Sequence, residues 1–218
     1  MCLADAGAHV APMTAKRAFD VTFAAIALVV SSPIWVVAAA LVKIQDGGPI
    51  FFRQDRSGLH GRPFDVLKFR SMTVDAERDG AKQAVTGDAR VTTVGRWLRA
   101  TAMDELPQLW NILVGDMSVV GPRALRPGEV DAHGPGLFER LEDVPGFAFR
   151  SSVRPGLTGV AQIYARRDLP RRLKFRYDRL YIQRQSFALD IRLVALSFWI
   201  SLTGAWEVRG RRSRGVRT

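Results

Sequence analysis

Two adjacent carboxylates, Asp104 and Glu105, stand just before Pro107. Because proline is tolerated only in the first turn of a helix, Pro107 predicts that a helix begins close to these acids. Side chains there lie beside unpaired backbone N–H groups and the positive end of the helix dipole, so we expect both carboxylates to stay ionised. Such a pair can hold a divalent cation, with Mg²⁺ the natural choice, and one member can attack phosphorus. Acids at a helix start are also ordinary capping residues, so the pair alone leaves a structural explanation open.

Cationic side chains suited to phosphate occur before and after this pair. Lys68 and Arg70 are two residues apart in a strand-like segment, which places them on one strand face. Arg123, Arg126 and Arg154 fall in loops rich in glycine and proline, where backbone N–H groups can join them on a phosphate. Each arginine taken singly fits a solvated surface residue better, so the prediction that these five residues bind phosphate groups rests on the whole set.

The overall charge agrees with an anionic partner. The 218 residues include 32 Lys+Arg and 21 Asp+Glu, a formal net charge of +11. Such an excess attracts nucleic acid, an anionic membrane face or phosphorylated substrates. No nucleic-acid recognition motif and no Walker or Rossmann pattern is present, so we expect no nucleic-acid partner. The single cysteine, Cys2, excludes an intrachain disulfide and a cysteine-built metal site.

An apolar segment of 22 residues, 21–42, precedes all of these motifs. As a straight helix it is about 33 Å long, enough to cross a hydrocarbon core of about 30 Å. Pro33 cannot donate to the carbonyl of Val29, so we expect a break at Ser32-Pro33, with serine hydroxyls satisfying the freed backbone groups.

Basic residues flank the apolar segment on both sides, with Lys16 and Arg17 before it and Lys43 after it. The positive-inside rule cannot orient a segment whose two ends both look cytoplasmic. A re-entrant helix-break-helix hairpin keeps both ends on one side, with Asp20 at headgroup depth beside the first two cations. A kinked spanning helix fits the residues equally well, and a cleaved signal peptide fits less well.

The remaining patterns predict an α+β fold that is mostly helical. Strand-like runs at 50–52 and 64–69 around a turn at 57–61 predict a β-hairpin. Thr92 or Thr93 caps one helix, a second runs from about Asp104 to Gly115, and 117–120 is strand-like. Helical spacing recurs in 166–184. The apolar run 193–206, followed by five arginines, predicts an interfacial helix with a basic tail, although a core helix fits nearly as well.

Taken together, the motifs resemble the bacterial sugar transferase family, the monotopic phosphoglycosyl transferases that move a sugar 1-phosphate onto a polyprenyl phosphate. They follow the family's order from Lys16 to Asp190. The stretches that carry the resemblance are 16–20, 32–33, 48–58, 68–72, 90–96, 104–111, 115–123 and 154–159. The chain is most similar to the short members that prime exopolysaccharide synthesis on undecaprenyl phosphate. One departure is Ala124, where the family usually has proline after the arginine of its Gly-Pro-Arg motif.

The resemblance implies a two-step reaction. Asp104 attacks the sugar-bearing phosphate of a UDP-sugar, releases UMP and carries a phosphosugar, which polyprenyl phosphate then displaces. Glu105 positions or deprotonates a partner, and Mg²⁺, held by both acids, neutralises phosphate charge. A non-catalytic membrane adaptor with a basic surface is the competing hypothesis.

The resemblance also favours the re-entrant hairpin and implies three parts. Residues 16–44 form the membrane hairpin, 45–190 the cytoplasmic catalytic domain, and 191–218 the interfacial helix with its tail. The expected location is the cytoplasmic face of the bacterial inner membrane, against the anionic lipid of the inner leaflet.

Overall fold

Helices form most of the computed structural model, which describes residues 13–76, 78, 87–128, 130–131, 139–166 and 169–203. The predicted α+β, mostly helical class is confirmed. The α-helices are α1 Met13–Asp46, α2 Thr93–Ala100, α3 Gln108–Val114, α4 Phe147–Arg150, α5 Val160–Tyr164, α6 Arg171–Gln183 and α7 Phe187–Leu202. The strands are β1 Phe51–Ser57, β2 Pro63–Phe69, β3 Ser118–Val120, β4 Val130–Asp131, β5 Glu139–Arg140 and β6 Gly156–Thr158. Short 3₁₀ helices cover Leu59–Gly61, Met103–Glu105 and Leu141–Asp143.

The strands pair in three small sheets. β1 and β2 form the predicted antiparallel hairpin, with Phe51 opposite Phe69 and Ser57 opposite Pro63. β3 pairs in parallel with β6, and β4 pairs antiparallel with β5. Beside the parallel pair, a Cβ on Gly156 would lie 2.0 Å from the backbone nitrogen of Gly121, so only glycine permits this close approach.

Sequence signals for individual helices hold with shifted boundaries. Of the two predicted caps, Thr92 and Thr93, it is Thr92 that caps α2, and its hydroxyl accepts a hydrogen bond from the Gly95 nitrogen at 2.9 Å. The helix predicted from Asp104 begins four residues later, at Gln108, because the two acids lie in a separate 3₁₀ helix. The last helix, predicted from residue 191, begins at Phe187 and is capped by Ser186. Its interfacial position stays a prediction, and the predicted basic tail lies outside the described residues.

Two apolar clusters hold the elements together and meet at Leu106. The first joins α3, β3, α6 and α7 to the first half of α1, through Ala24, and the second packs the last half of α1 against β2 and α2. Its buried members are Ala38, Val42, Phe69 and Leu98. Both halves of α1 are therefore seated on the same domain.

Helix α1 runs without interruption through Pro33. The Ser32 hydroxyl donates to the Val29 carbonyl at 2.8 Å, which is the carbonyl that Pro33 cannot serve, so the predicted serine compensation is confirmed. The Ser31 hydroxyl instead accepts from Trp35 Nε1 at 3.1 Å. The re-entrant hairpin stays a prediction.

The middle of α1 presents apolar side chains to the outside. Val29 is 74% exposed and Val30 72%, and Ile44 near the helix end is 82% exposed. Among the described residues, α1 contains the one helical segment, 15–46, that is long and apolar enough to cross a membrane. Exposed aliphatic side chains in such a run are typical of a surface that contacts lipid.

Candidate active site

The backbone around Asp104 and Glu105, called here the carboxylate pair, is an unusually tight turn. Ala102 precedes it with a φ of 58°, a left-handed conformation that non-glycine residues seldom adopt. The Glu105 nitrogen donates to the Ala102 carbonyl at 3.2 Å, which closes the turn. The pair is therefore displayed between α2 and α3, ahead of the first turn of α3.

Glu105 is held by two cations. Its Oε1 accepts hydrogen bonds from Lys68 Nζ at 2.7 Å and from Arg123 Nη2 at 2.9 Å. Burial alone would raise the pKa of Glu105, but the charges and hydrogen bonds of Arg123 and Lys68 outweigh it and hold that pKa well below its usual range. As predicted, the Glu105 carboxylate is ionised at neutral pH.

Asp104 has the opposite electrostatic balance. Asp104 is 8% exposed, and burial raises the pKa of its carboxyl to about 6. The charge of Lys68 opposes this rise, that of Glu105 adds to it, and Arg99 and Arg123 oppose it. The helix-end argument predicted a carboxylate that stays ionised, whereas desolvation is the largest influence on this pKa. At pH 7 the ionised form still predominates by about ten to one.

The Asp104 carboxylate accepts no hydrogen bond from the described part of the chain. A carboxylate that is ionised, poorly solvated and free of donors is more nucleophilic than one in water. The positive charges of Lys68, Arg99 and Arg123 offset the repulsion between this carboxylate and an anionic phosphate. The geometry is therefore suited to attack on phosphorus.

Two of the five predicted phosphate-binding residues contact the carboxylate pair, and the other three lie elsewhere in the fold. Lys68 and Arg123 meet at the carboxylate pair. Arg70, one residue beyond the end of β2, forms an ion pair with Asp46 at the end of α1. Arg154 Nε donates to the Gly115 carbonyl at 2.8 Å, and Arg126 lies half-buried in the loop after Ala124.

Sequence reasoning missed Arg99, at the end of α2. Its Nε donates to the Ser71 hydroxyl at 2.8 Å, and its charge lowers the pKa of Asp104. The available signal was its position five residues before Asp104, which says little without knowing how the intervening chain turns.

A metal ion at this site would have the two acids of the carboxylate pair as its protein ligands. No group of three or more metal-binding side chains occurs among the described residues. Mg²⁺ at phosphate sites typically takes one or two protein carboxylates and completes its shell with substrate oxygens and water. Asp104 and the second oxygen of Glu105 fit that requirement.

The charged residues at the start of α1 form ion pairs and hydrogen bonds with α7, α3 and β3. Lys16 Nζ forms an ion pair with Asp190 Oδ2 at 2.7 Å, and Arg17 donates to the carbonyls of Ile112 and Leu113 at 2.5 and 2.7 Å. Asp20, expected at headgroup depth beside Lys16 and Arg17, is 2% exposed. Its Oδ1 accepts hydrogen bonds from the Ser118 hydroxyl and the Val119 nitrogen, both at 3.0 Å, because β3 packs against α1.

Comparison with known proteins identifies relatives of this chain. It is 40% identical over 192 residues to a UDP-N-acetylgalactosamine-undecaprenyl-phosphate N-acetylgalactosaminephosphotransferase of Aeromonas hydrophila, covering 87% of this chain and 44% of the relative. It is 42% identical to a UDP-glucose:undecaprenyl-phosphate glucose-1-phosphate transferase of Klebsiella pneumoniae, covering 85% and 39%. It is also 40% identical to the exopolysaccharide production protein PSS of Rhizobium leguminosarum bv. phaseoli, covering 82% and 90%.

The chain thus spans less than half the length of the first two relatives and most of the third. The family model described as bacterial sugar transferase matches residues 11–204, which include the carboxylate pair and all five predicted phosphate-binding residues. The resemblance seen in the motifs is confirmed. With nearly its whole length matched, this chain belongs to the bacterial sugar transferase family.

Proposed function

We propose that this protein transfers a sugar 1-phosphate from a UDP-sugar to polyprenyl phosphate, with undecaprenyl phosphate as the acceptor, and so begins a lipid-linked glycan. The observation that carries this proposal is the buried Asp104 carboxylate, free of hydrogen bonds from described residues, beside a Glu105 held by Lys68 and Arg123. The names of the Aeromonas and Klebsiella relatives support the same reaction class.

In the first step, an Asp104 carboxylate oxygen attacks the phosphorus that bears the sugar. A P–O bond forms to Asp104, and the P–O bond to the UMP phosphate breaks, so UMP leaves with the electron pair. In the second step, an oxygen of polyprenyl phosphate attacks the same phosphorus and the Asp104 carboxylate leaves. The product is a polyprenyl diphosphosugar, and the free carboxylate is regenerated.

The surrounding residues make this attack between anions feasible. Arg123 and Lys68 place positive charge beside the reacting phosphate, and Glu105 keeps both side chains in position. Arg126, Arg154 and Arg70 remain candidates for further phosphate contacts, and Arg70 Nη1 has no hydrogen-bond partner among the described residues. A Mg²⁺ ion held by Asp104 and Glu105 would neutralise phosphate charge when bound.

We also propose that α1 enters and leaves the membrane on one face, the cytoplasmic face of the inner membrane. Arg17 binds the end of α3, and Asp46 binds Arg70 at the end of β2. α3 and β2 are joined directly, since Asn111 Oδ1 accepts from the Leu67 nitrogen at 3.0 Å. A straight α1 would separate Arg17 and Asp46 by about 43 Å across the bilayer, although both ends bind one structural unit. A re-entrant arrangement removes that conflict.

The deciding experiment measures UMP release by the purified protein over a panel of UDP-sugars, each with and without undecaprenyl phosphate. We expect one or a few donors to release UMP, and the protein to gain the mass of a sugar phosphate at Asp104 when acceptor is omitted. A membrane adaptor would release no UMP from any donor. Normal turnover by Asp104→Asn with acceptor present would show that the covalent route is wrong.

A further inference from the structure

Three consecutive carbonyls hold the loop from which the Arg123 side chain extends. The Arg123 carbonyl accepts from Arg150 Nη2 at 2.6 Å, and the Ala124 carbonyl accepts from Arg56 Nη1 at 3.1 Å. The Leu125 carbonyl accepts from the Ser57 nitrogen at 2.8 Å. The backbone here is therefore anchored by side-chain and main-chain donors that lie far away in the sequence.

Arg150 is the donor whose own side chain is buried and held by other residues. It is 5% exposed, its Nε donates to Asp178 Oδ2 at 2.9 Å, and its guanidinium carbon lies 4.7 Å from the centre of the Phe175 ring. Asp178 is 3% exposed. A guanidinium with a carboxylate, an aromatic face and a carbonyl as partners has little freedom to move.

A buried ion pair of this kind contributes little net stability, because desolvation of the two charges offsets most of their attraction. Arg150 and Asp178 lie on α4 and α6, which also make apolar contact through Phe175. A role in holding α4 and α6 together therefore does not explain why Arg150 also donates to the Arg123 carbonyl.

The Arg123 side chain is 49% exposed, yet its Nη2 must reach Glu105 Oε1 at 2.9 Å. A long, half-exposed side chain has many rotamers, so the position of its guanidinium depends on how firmly its backbone is placed. Arg150 supplies that placement, because the Arg123 carbonyl that it binds is bonded directly to the Arg123 Cα.

We propose that Arg150 is a positioning residue: by fixing the Arg123 carbonyl, it sets the Arg123 guanidinium against Glu105 and the donor phosphate. Asp178 keeps Arg150 in the orientation that this contact requires. The inference rests on the proposed sugar-phosphate transfer and adds to it a residue that acts only through Arg123.

The test is a double-mutant cycle of Arg150→Lys and Arg123→Gln, with kcat and KM for UDP-sugar measured by UMP release. Lysine keeps the charge but lacks the planar, forked guanidinium that binds Asp178 through Nε and the Arg123 carbonyl through Nη2. We expect Arg150→Lys to lower kcat/KM about 10- to 100-fold in the wild-type background. In the Arg123→Gln background the same change should alter kcat/KM less than twofold, because the group being positioned is already gone.

Arg90→Lys is the matched control. Arg90 also bonds an aspartate, Asp88 at 2.7 Å, and a backbone carbonyl, that of Ala76 at 2.9 Å, and both of these partners lie outside the Arg123 loop. The variant should keep kcat/KM within twofold of the wild-type value. Melting temperatures of all variants show how much stability each change removes.

Equal losses from Arg150→Lys in both backgrounds, or a normal kcat/KM in the single variant, overturn the positioning role. Should Arg150→Lys fail to fold, Asp178→Asn replaces it in the cycle, because the amide oxygen still accepts from Arg150. Its smaller loss must likewise disappear with Arg123→Gln, and equal losses overturn the role. A wild-type protein that releases no UMP refutes the proposed function, whereas an active wild type with additive variants refutes the positioning role alone.

Discussion

Asp104 and Glu105 are neighbours in the chain, yet the fold shifts the pKa values of their carboxyl groups in opposite directions. Glu105 forms ion pairs with Lys68 and Arg123, which lower its pKa. Burial and the negative charge of Glu105 raise the pKa of Asp104. Two carboxylates with separated pKa values can take different roles in one reaction. Here the pattern suits a fixed anchor beside a nucleophile.

The pH dependence of UMP release should follow Asp104. Its pKa is raised to about 6, and only the ionised carboxylate can attack phosphorus, so the rate should fall about tenfold per pH unit below that value. The first half-reaction, measured without acceptor between pH 4.5 and 8, tests this expectation. Circular dichroism over the same range controls for unfolding. A rate that stays constant down to pH 4.5 would exclude Asp104 as the titrating nucleophile.

Removal of the Lys68 charge should move this acid limb upward. Lys68 lowers the pKa of Asp104, so Lys68→Met should raise that pKa by about one unit and shift the midpoint of the rate profile equally. Arg53→Gln is the control, because Arg53 is an exposed residue of β1 on the neighbouring strand. The same shift in both variants would mean that general surface charge, and not Lys68, sets the midpoint.

Asp104→Asn should abolish turnover and yet stabilise the fold at pH 7. The folded protein binds a proton to Asp104 more readily than the unfolded chain does, so this carboxyl stabilises the fold at acidic pH. That contribution is lost as the pH rises from about 4 through 6. Replacing the ionised group should raise the free energy of unfolding at pH 7 by on the order of 2 kcal/mol. Thermal melts at pH 7 and pH 4.5 check this, since the gain should shrink at the lower pH. A lower melting temperature than wild type at pH 7 would contradict the assigned burial penalty.

The two ends of α1 should be accessible from the same side of the membrane. Single cysteines placed at Ala15 and Gln45, exposed positions in the polar flanks of α1, in a background lacking Cys2, can be labelled with a membrane-impermeant maleimide in inverted and right-side-out vesicles. Both positions should react in inverted vesicles, where the cytoplasmic face is outside. Reaction of the two positions in opposite vesicle types would establish a spanning helix.

Divalent metal should be required for the first half-reaction. Chelation with EDTA should reduce UMP release at least about 100-fold, since two protein carboxylates and the donor phosphates provide a typical Mg²⁺ environment. Added Mg²⁺ should restore the rate, and Glu105→Gln should raise the Mg²⁺ concentration needed. Full activity in excess EDTA would remove the metal from the proposal.

The local signals in the sequence were sufficient for several elements. Strand-like runs around a turn predicted the β1–β2 hairpin, and Thr92 or Thr93 predicted the start of α2. Pro33 predicted where a serine hydroxyl would be needed. Each of these depends on residues within one turn or one strand pair. The order and spacing of the motifs were also specific enough to identify the family.

Sequence alone determined that this chain carries an acidic pair near a helix start, an excess of arginine and a long apolar helix. Only the tertiary structure decided that Lys68 and Arg123 meet at Glu105 while Arg70 and Arg154 bind elsewhere. It also decided that Asp104 is buried enough for desolvation to outweigh the positive helix end. Both outcomes depend on which distant loops pack together. The spacing of residues along a chain does not show how strongly such packing desolvates a carboxylate.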